Sequence, residues 1–167
     1  MSNAVGKSFV VVLNCGSSSI KFALFDAGDA PLARSPAWRG KVDGIAGSAP
    51  MFSADGVDVL ALTLDPAHPY AAALTYLRQR IVAWLHGRDI AAVAHRVVHG
   101  GSKYFEPVRV DTGVLADLRS YIPLAPLHQP FALEAIAALL DELPHLPQVA
   151  CFDTAFHQSM PIVEKML

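Results

Sequence analysis

The sequence predicts an α/β domain, a mixed sheet with flanking helices, and three features of its 167 residues carry that reading. Apolar residues make up 53% and charged residues 17%, so the chain has ample side chain to offset the entropy of folding. The first half alternates with a period of two between turns rich in Gly, Ser and Pro. The second half switches to the 3.6-residue period of helices separated by short apolar runs. Antiparallel strands followed by strand–helix–strand alternation point to an α/β sheet. The length suits one domain and leaves little room for two.

The elements follow in order. Residues 1–7 precede any pattern and are expected to be a disordered lead or remnant. Phe9–Leu13 is a valine-rich apolar run, the mark of a buried strand. Asn14-Cys15-Gly16-Ser17-Ser18-Ser19 is turn chemistry, and Ile20–Phe25 alternates, so the two runs form a hairpin. Glycine and proline recur through Asp26–Pro50, with β-like pieces around Ala37–Val42 and Val57–Leu64. Tyr70, Leu74, Leu77, Ile81, Trp84 and Leu85 fall on one helical face, with Gly87 placed to end that helix. Ile90–Val98 is a strand broken by Gly100-Gly101, and Asp111 caps a short helix containing Val114, Leu115 and Leu118. Ala132, Ile136, Leu139, Leu140 and Leu143 mark another helix, stopped by Pro144, and Val149–Phe152 is one more strand.

Composition narrows the function. Thirteen Lys and Arg against fifteen Asp and Glu give a net charge of −2, which offers no electrostatic reason for a nucleic-acid or anionic-membrane partner. The longest uncharged stretch, Tyr121–Leu133, carries Pro123, Pro126 and Pro130 and falls short of a membrane span. Phe9–Leu13 is too short for a secretory signal, so the expected compartment is the cytoplasm. Cys15 and Cys151 form no metal or disulfide framework and are expected to stay free thiols.

Three constellations could carry chemistry. Asn14 to Lys21 places Gly16, Ser17 and Ser18 in a turn whose N–H groups and hydroxyls suit phosphate oxygens. Lys21 adds a mobile charge and Asn14 a neutral oxygen for a metal-bound water. It is not a Walker loop, and an ordinary Ser/Gly hairpin with a solvated Lys21 is the competing reading. In His95-Arg96-Val97-Val98-His99, Arg96 and Val98 share a strand face. A guanidinium beside a β-branched surface suits a short carboxylate, although Arg96 could equally be a salt-bridge residue and Val98 core. His95 and His99 lack the glutamate of a zinc-protease helix and are expected to be structural. Finally, Leu127 and His128 lie in a proline-stiffened loop ahead of a helix, and Asp153 follows an apolar strand, although His128 and Asp153 each taken alone read as helix-cap or loop residues. Asn14, Arg96 and Asp153 all sit near the carboxyl ends of expected strands, where α/β sheets bind ligands.

Taken in order, VLNCGSSSIKF, AHRVVHGG, APLHQP and FDTAFHQSMP resemble the signature segments of acetate kinase, from about Phe9 to the end of the chain. The resemblance implies a ribonuclease-H-like domain of the actin and sugar-kinase type. It also implies reversible transfer of the γ-phosphoryl of ATP to acetate, giving acetyl phosphate and ADP. By the same resemblance Asn14 helps hold Mg²⁺, and Lys21 with Ser17 and Ser18 lies near the nucleotide phosphates. Arg96 binds the carboxylate and the transferring group, Val98 and Leu127 line the methyl pocket, and His128 assists at the phosphoryl oxygens. Asp153 is the catalytic acidic residue. Acetate is already ionised, so Asp153 is expected to position Arg96, Mg²⁺ or its waters. Family chains are more than twice as long. The expectation is therefore that residues 8–167 are the N-terminal domain alone, inactive without the nucleotide-binding half, and that full-length members are homodimers. Gln129 departs mildly from the Asn common in the family. Propionate kinase is the nearest rival, and a non-catalytic carboxylate- or phosphate-binding domain pairing with a separate second half is the alternative from another class.

Overall fold

The computed structural model describes residues 7–28, 31 and 33–154, and within them an eight-stranded mixed sheet carries the helices. The strands β1 (Ser8–Cys15), β2 (Ser19–Asp26), β3 (Trp38–Asp43), β4 (Met51–Ala54) and β5 (Val57–Ala61) run as an antiparallel meander. Helix α1 (Pro69–Leu85) then leads to β6 (Asp89–Val97), which returns parallel to β1. After the short β7 (Val108–Arg109), helices α2 (Thr112–Ser120) and α3 (Gln129–Glu142) lead to β8 (Gln148–Phe152). That strand runs parallel to β6 and antiparallel to β7. The order β5-β4-β3-β2-β1-β6-β8-β7 is the expected α/β class, a mixed sheet with flanking helices.

The period-two pattern decides which face of the sheet is covered. Along β1, Phe9, Val11, Leu13 and Cys15 are buried, while Val10, Val12 and Asn14 are only half-buried. The helices all lie on the first of these faces. Trp84 of α1 meets Phe9 edge-on at 5.2 Å between ring centroids and stacks on Trp38 at 5.3 Å. Ile136 of α3 accepts a hydrogen bond from the buried Gln148 amide at 3.4 Å, and Leu118 of α2 accepts one from Gln129. On the opposite face Val10, Val12, Ala23, Ala92, Ala94 and Val149 line up by register, and no described helix covers them.

Several expectations shift. The β-like stretch Val57–Leu64 ends at Ala61 and pairs with β4, which is too short to declare itself in sequence. Helix α1 ends as expected, with Leu85 its last helical residue and Gly87 in the turn that closes it. His86 takes the left-handed conformation at φ 48°, Gly87 follows at φ 81°, and Arg88 covers the carbonyls of Leu85 and Trp84. Asp111 caps α2 as expected, accepting from the Val114 N–H at 2.8 Å. Strand β6 ends at Val97, so Val98 lies one residue beyond it. Lys7, expected in the lead, reaches Asp26 at 3.1 Å, whereas residues 1–6 and the AFHQSMP part of the last motif lie outside the described residues.

Candidate active site

Strand register brings three of the candidate residues into one row. Asn14 on β1 opposes Lys21 on β2 and Arg96 on β6, and Arg96 opposes Cys151 on β8. Lys21 in turn opposes Lys41 on β3, and Lys41 opposes Ser53 on β4. Residues opposed across strands project to the same face. The row therefore crosses the helix-free face near the carboxyl ends of β1, β6 and β8, the edge where such sheets bind ligands.

Arg96 is the centre of this row. Its Nε donates to Asp153 Oδ1 at 2.8 Å, and its Nη2 donates to Oδ2 at 2.7 Å, a bidentate pair. The third nitrogen, Nη1, donates to Asn14 Oδ1 at 3.3 Å. These contacts hold one edge of the guanidinium against Asp153, while the side chain stays 56% exposed. Two of its five N–H groups have no hydrogen-bond partner among the described residues. The Asp153 hydrogen bonds push the guanidinium pKa above its ordinary value, so its charge is permanent. A cation of this shape, held on one edge and exposed on the rest, can grip a carboxylate or a phosphoryl group.

The other candidates are distributed around this centre. Ser17 and Ser18 are exposed in the turn between β1 and β2, closed by a Gly16 N–H to Ser19 carbonyl bond of 2.9 Å. The Ser18 carbonyl accepts from the Ile45 N–H at 3.1 Å, which fixes the turn against the loop after β3. Val98 is half-buried beyond β6. His128 occupies the N-cap position of α3 without a side-chain cap bond, and Leu127 beside it is 74% exposed. Among the described residues no hydrogen bond or ion pair joins His128 to Arg96. What tethers that loop is Gln129, fully buried, whose amide donates to the carbonyls of His99 at 3.2 Å and Leu118 at 3.3 Å. His95 points into the helix-covered core, where Nε2 meets Gln148 Oε1 at 2.8 Å and burial lowers its pKa to about 4. Burial raises the thiol of Cys15 to about 11 and also that of Cys151, so neither is a ready nucleophile.

No group of three His, Cys, Asp or Glu side chains able to hold a metal occurs among the described residues. Asn14 and Asp153 nevertheless offer a neutral and a charged oxygen beside the cations of the row. That set fits a Mg²⁺ ion that keeps several waters and takes phosphate oxygens for the rest, as Mg²⁺ ordinarily does. Two residues escape a reading of the sequence alone. Lys41 is visible only once β3 is registered against β2. Gln129 carries a single sequence signal, an amide between a proline-rich loop and an apolar helix.

No described helix is long and apolar enough to cross a membrane. The acetokinase family model matches residues 9–166. The acetate kinase of Nitrobacter hamburgensis is 47% identical over 156 residues, covering 90% of this chain and 38% of that protein. Among solved structures, a propionate kinase from Francisella tularensis is similar with a TM-score of 0.77 at 38% identity, over 92% of this chain and 39% of that one. The acetate kinase of Porphyromonas gingivalis gives 0.71 at 34% identity over the same shares. The chain thus spans 38–39% of the length of these relatives.

Proposed function

The chain belongs to the acetokinase family, and from that premise we propose that residues 8–167 form the carboxylate- and phosphoryl-binding domain of an acetate kinase. In this reading an acetate oxygen attacks the γ-phosphorus of ATP, the bond to the bridging oxygen breaks, and ADP leaves with the electron pair. No proton has to be removed from acetate at neutral pH. The observation that carries the proposal is Arg96, held bidentately by Asp153 and touched by Asn14 near the strand ends, with its side chain 56% exposed.

The roles follow from that geometry. Arg96 holds the carboxylate and neutralises charge on the moving phosphoryl group, and Asp153 positions Arg96 by occupying one edge of the fork. Asn14 and Asp153 would hold Mg²⁺ through its waters, and the ion supplies charge neutralisation on the donor phosphates when bound. Lys21, with Ser17 and Ser18, approaches the nucleotide phosphates. Val98 and Leu127 line the methyl pocket, and His128 donates to a phosphoryl oxygen. The adenosine site belongs to a nucleotide-binding half outside these residues, the complete enzyme works as a homodimer, and its compartment is the cytoplasm.

A second acyl substrate is favoured by one observation, the 0.77 TM-score with a propionate kinase. One methylene separates the two acids by only ~1–3 kcal/mol in an apolar pocket. The test is acetyl hydroxamate formation from MgATP, acetate and hydroxylamine, run on the chain alone and on the chain joined to the remaining portion of an acetate kinase relative. The expected result is product only from the joined protein, with propionate run in parallel to rank the acids. Enzyme-dependent product from the chain alone overturns the half-site reading, and no product with either acid from a folded joined protein overturns the kinase reading.

A further inference from the structure

The two residues assigned to the methyl pocket stand on separate loops, and neither is held by strand pairing. Val98 lies one residue beyond the end of β6, and Leu127 lies in the loop that leads into α3. Among the described residues one hydrogen bond joins these loops, from the Gln129 amide to the His99 carbonyl at 3.2 Å. The same nitrogen donates to the Leu118 carbonyl in the last turn of α2 at 3.3 Å. On one side His99 directly follows Val98. On the other, the His128 and Gln129 N–H groups both donate to the Ala125 carbonyl, at 3.1 and 3.0 Å, so Leu127 sits in a tight turn that moves with Gln129.

Stability alone does not account for an amide at this junction. Gln129 is fully buried, and with its amide nitrogen committed to two carbonyls its Oε1 has no hydrogen-bond partner among the described residues. His99 has the complementary shortfall. Its Nδ1 accepts from the Gly101 N–H at 3.1 Å, so the ring proton is on Nε2, which is also buried and unpartnered. Unsatisfied buried polar atoms cost stability, and an apolar side chain of the same shape in place of Gln129 removes one of the two.

We propose that Gln129 is a positioning residue that sets the gap between the Val98 and Leu127 loops, and through it the length of acyl chain the enzyme accepts. Gln129 touches no substrate. It acts through the His99 backbone on one side and the first turn of α3 on the other, with Leu118 as a fixed third point. A rigid gap favours the shorter acid, because an added methylene has to push one loop away from the other. The inference rests on the proposed function for the identity of the pocket, whereas the junction stands on the hydrogen bonds of Gln129 themselves.

The test uses Gln129→Met, which keeps the length and burial of the side chain and removes its donors, while the Leu118 carbonyl retains the Tyr121 N–H at 3.2 Å. In the joined enzyme this variant is expected to raise the ratio of kcat/KM for propionate to that for acetate by about three- to tenfold. KM for acetate rises and KM for MgATP is unchanged. A ratio between two substrates does not depend on how much of the enzyme is folded, so a residue that only supports the fold leaves it as it was. Gln129→Asn keeps the amide with one methylene less reach. It is expected to move the ratio less, in the same direction, and is the decisive variant should Gln129→Met not fold. A folded variant with the ratio of the unaltered enzyme overturns the proposal. Amide hydrogen exchange on the chain alone separates this inference from the acetate reading. Gln129→Met is expected to speed exchange about tenfold at the His128 and Tyr104 N–H groups, one on each loop. Exchange as slow as in the unaltered chain overturns the proposal whatever the joined enzyme does. Faster exchange, with a joined protein that phosphorylates neither acid, leaves Gln129 as the tie between the loops while the acetate reading falls and takes the acyl-length role with it.

Discussion

Arg96 divides its guanidinium between two neighbours of opposite character, a charged carboxylate on one edge and a neutral amide oxygen at the far nitrogen. A lysine at that position keeps the charge and loses the fork. Arg96→Lys in the joined enzyme is therefore expected to lower kcat/KM for acetate by about two orders of magnitude or more, with urea midpoints unchanged. Asp153→Asn leaves an acceptor for one arm of the fork, so the expected loss is smaller, read as kcat against KM in steady-state kinetics. His95 gives a prediction about pH. Burial holds its folded-state pKa to about 4, against 6.5 ordinarily, so between those values the unfolded chain binds a proton that the folded chain does not. Stability contributed this way is complete above about 6.5 and is lost as pH falls towards 4, by up to about 3 kcal/mol. Urea melts from pH 7 to pH 4.5 should show that slope, and a His95→Asn variant should lack it. At this scale the sequence was partly legible. Arg96 beside Val98 suggested a carboxylate site, yet nothing in the order of residues says that Asp153 takes the Nε edge or that Lys41 faces Lys21. Those facts belong to register, which pairs residues far apart in the chain.

Secondary-structure elements were easiest to read where apolar period and local punctuation agreed. The apolar face of α1, the Asp111 cap of α2 and the Pro144 stop of α3 are all local signals, and each element formed where it was expected. Strands β4 and β7 were not readable, since pieces of four and two residues take their conformation from a neighbour rather than from their own pattern. Two changes test how the elements hold the site. Asp111→Ala removes the bond to the Val114 N–H and should destabilise the chain by about 1 kcal/mol in urea unfolding. Gly101 sits at φ 62° in the turn after β6, and an added Cβ would lie 2.5 Å from the Tyr121 ring. Gly101→Ala should cost about 2 kcal/mol or more and disturb the loop that Gln129 anchors. Thermal melts of both variants beside the unaltered chain give the comparison.

On the scale of the whole molecule, the helices crowd one face of the sheet and leave the other to Val10, Val12, Ala23, Ala92, Ala94 and Val149, with the charged row along its edge. Such a contiguous apolar face favours association when uncovered. Sedimentation velocity at rising concentration should show the isolated chain gaining mass, and Val12→Glu should suppress the gain. A constant monomer mass would show that the face is inert in water. Composition and periodicity predicted a well-cored α/β domain. It could not predict this asymmetry, which follows from the handing of successive crossovers to one side. The bonds of Arg96 also set an order of events during synthesis. Its two partners lie 82 residues earlier and 57 residues later in the chain. Closing loops of that size is entropically slow compared with forming the β1–β2 hairpin or α1. A chain emerging from the ribosome can build its first meander and first helix while Arg96 still lacks its carboxylate. The guanidinium is fixed only when β8 has been made and has docked, so the centre of the site is among the last contacts to form.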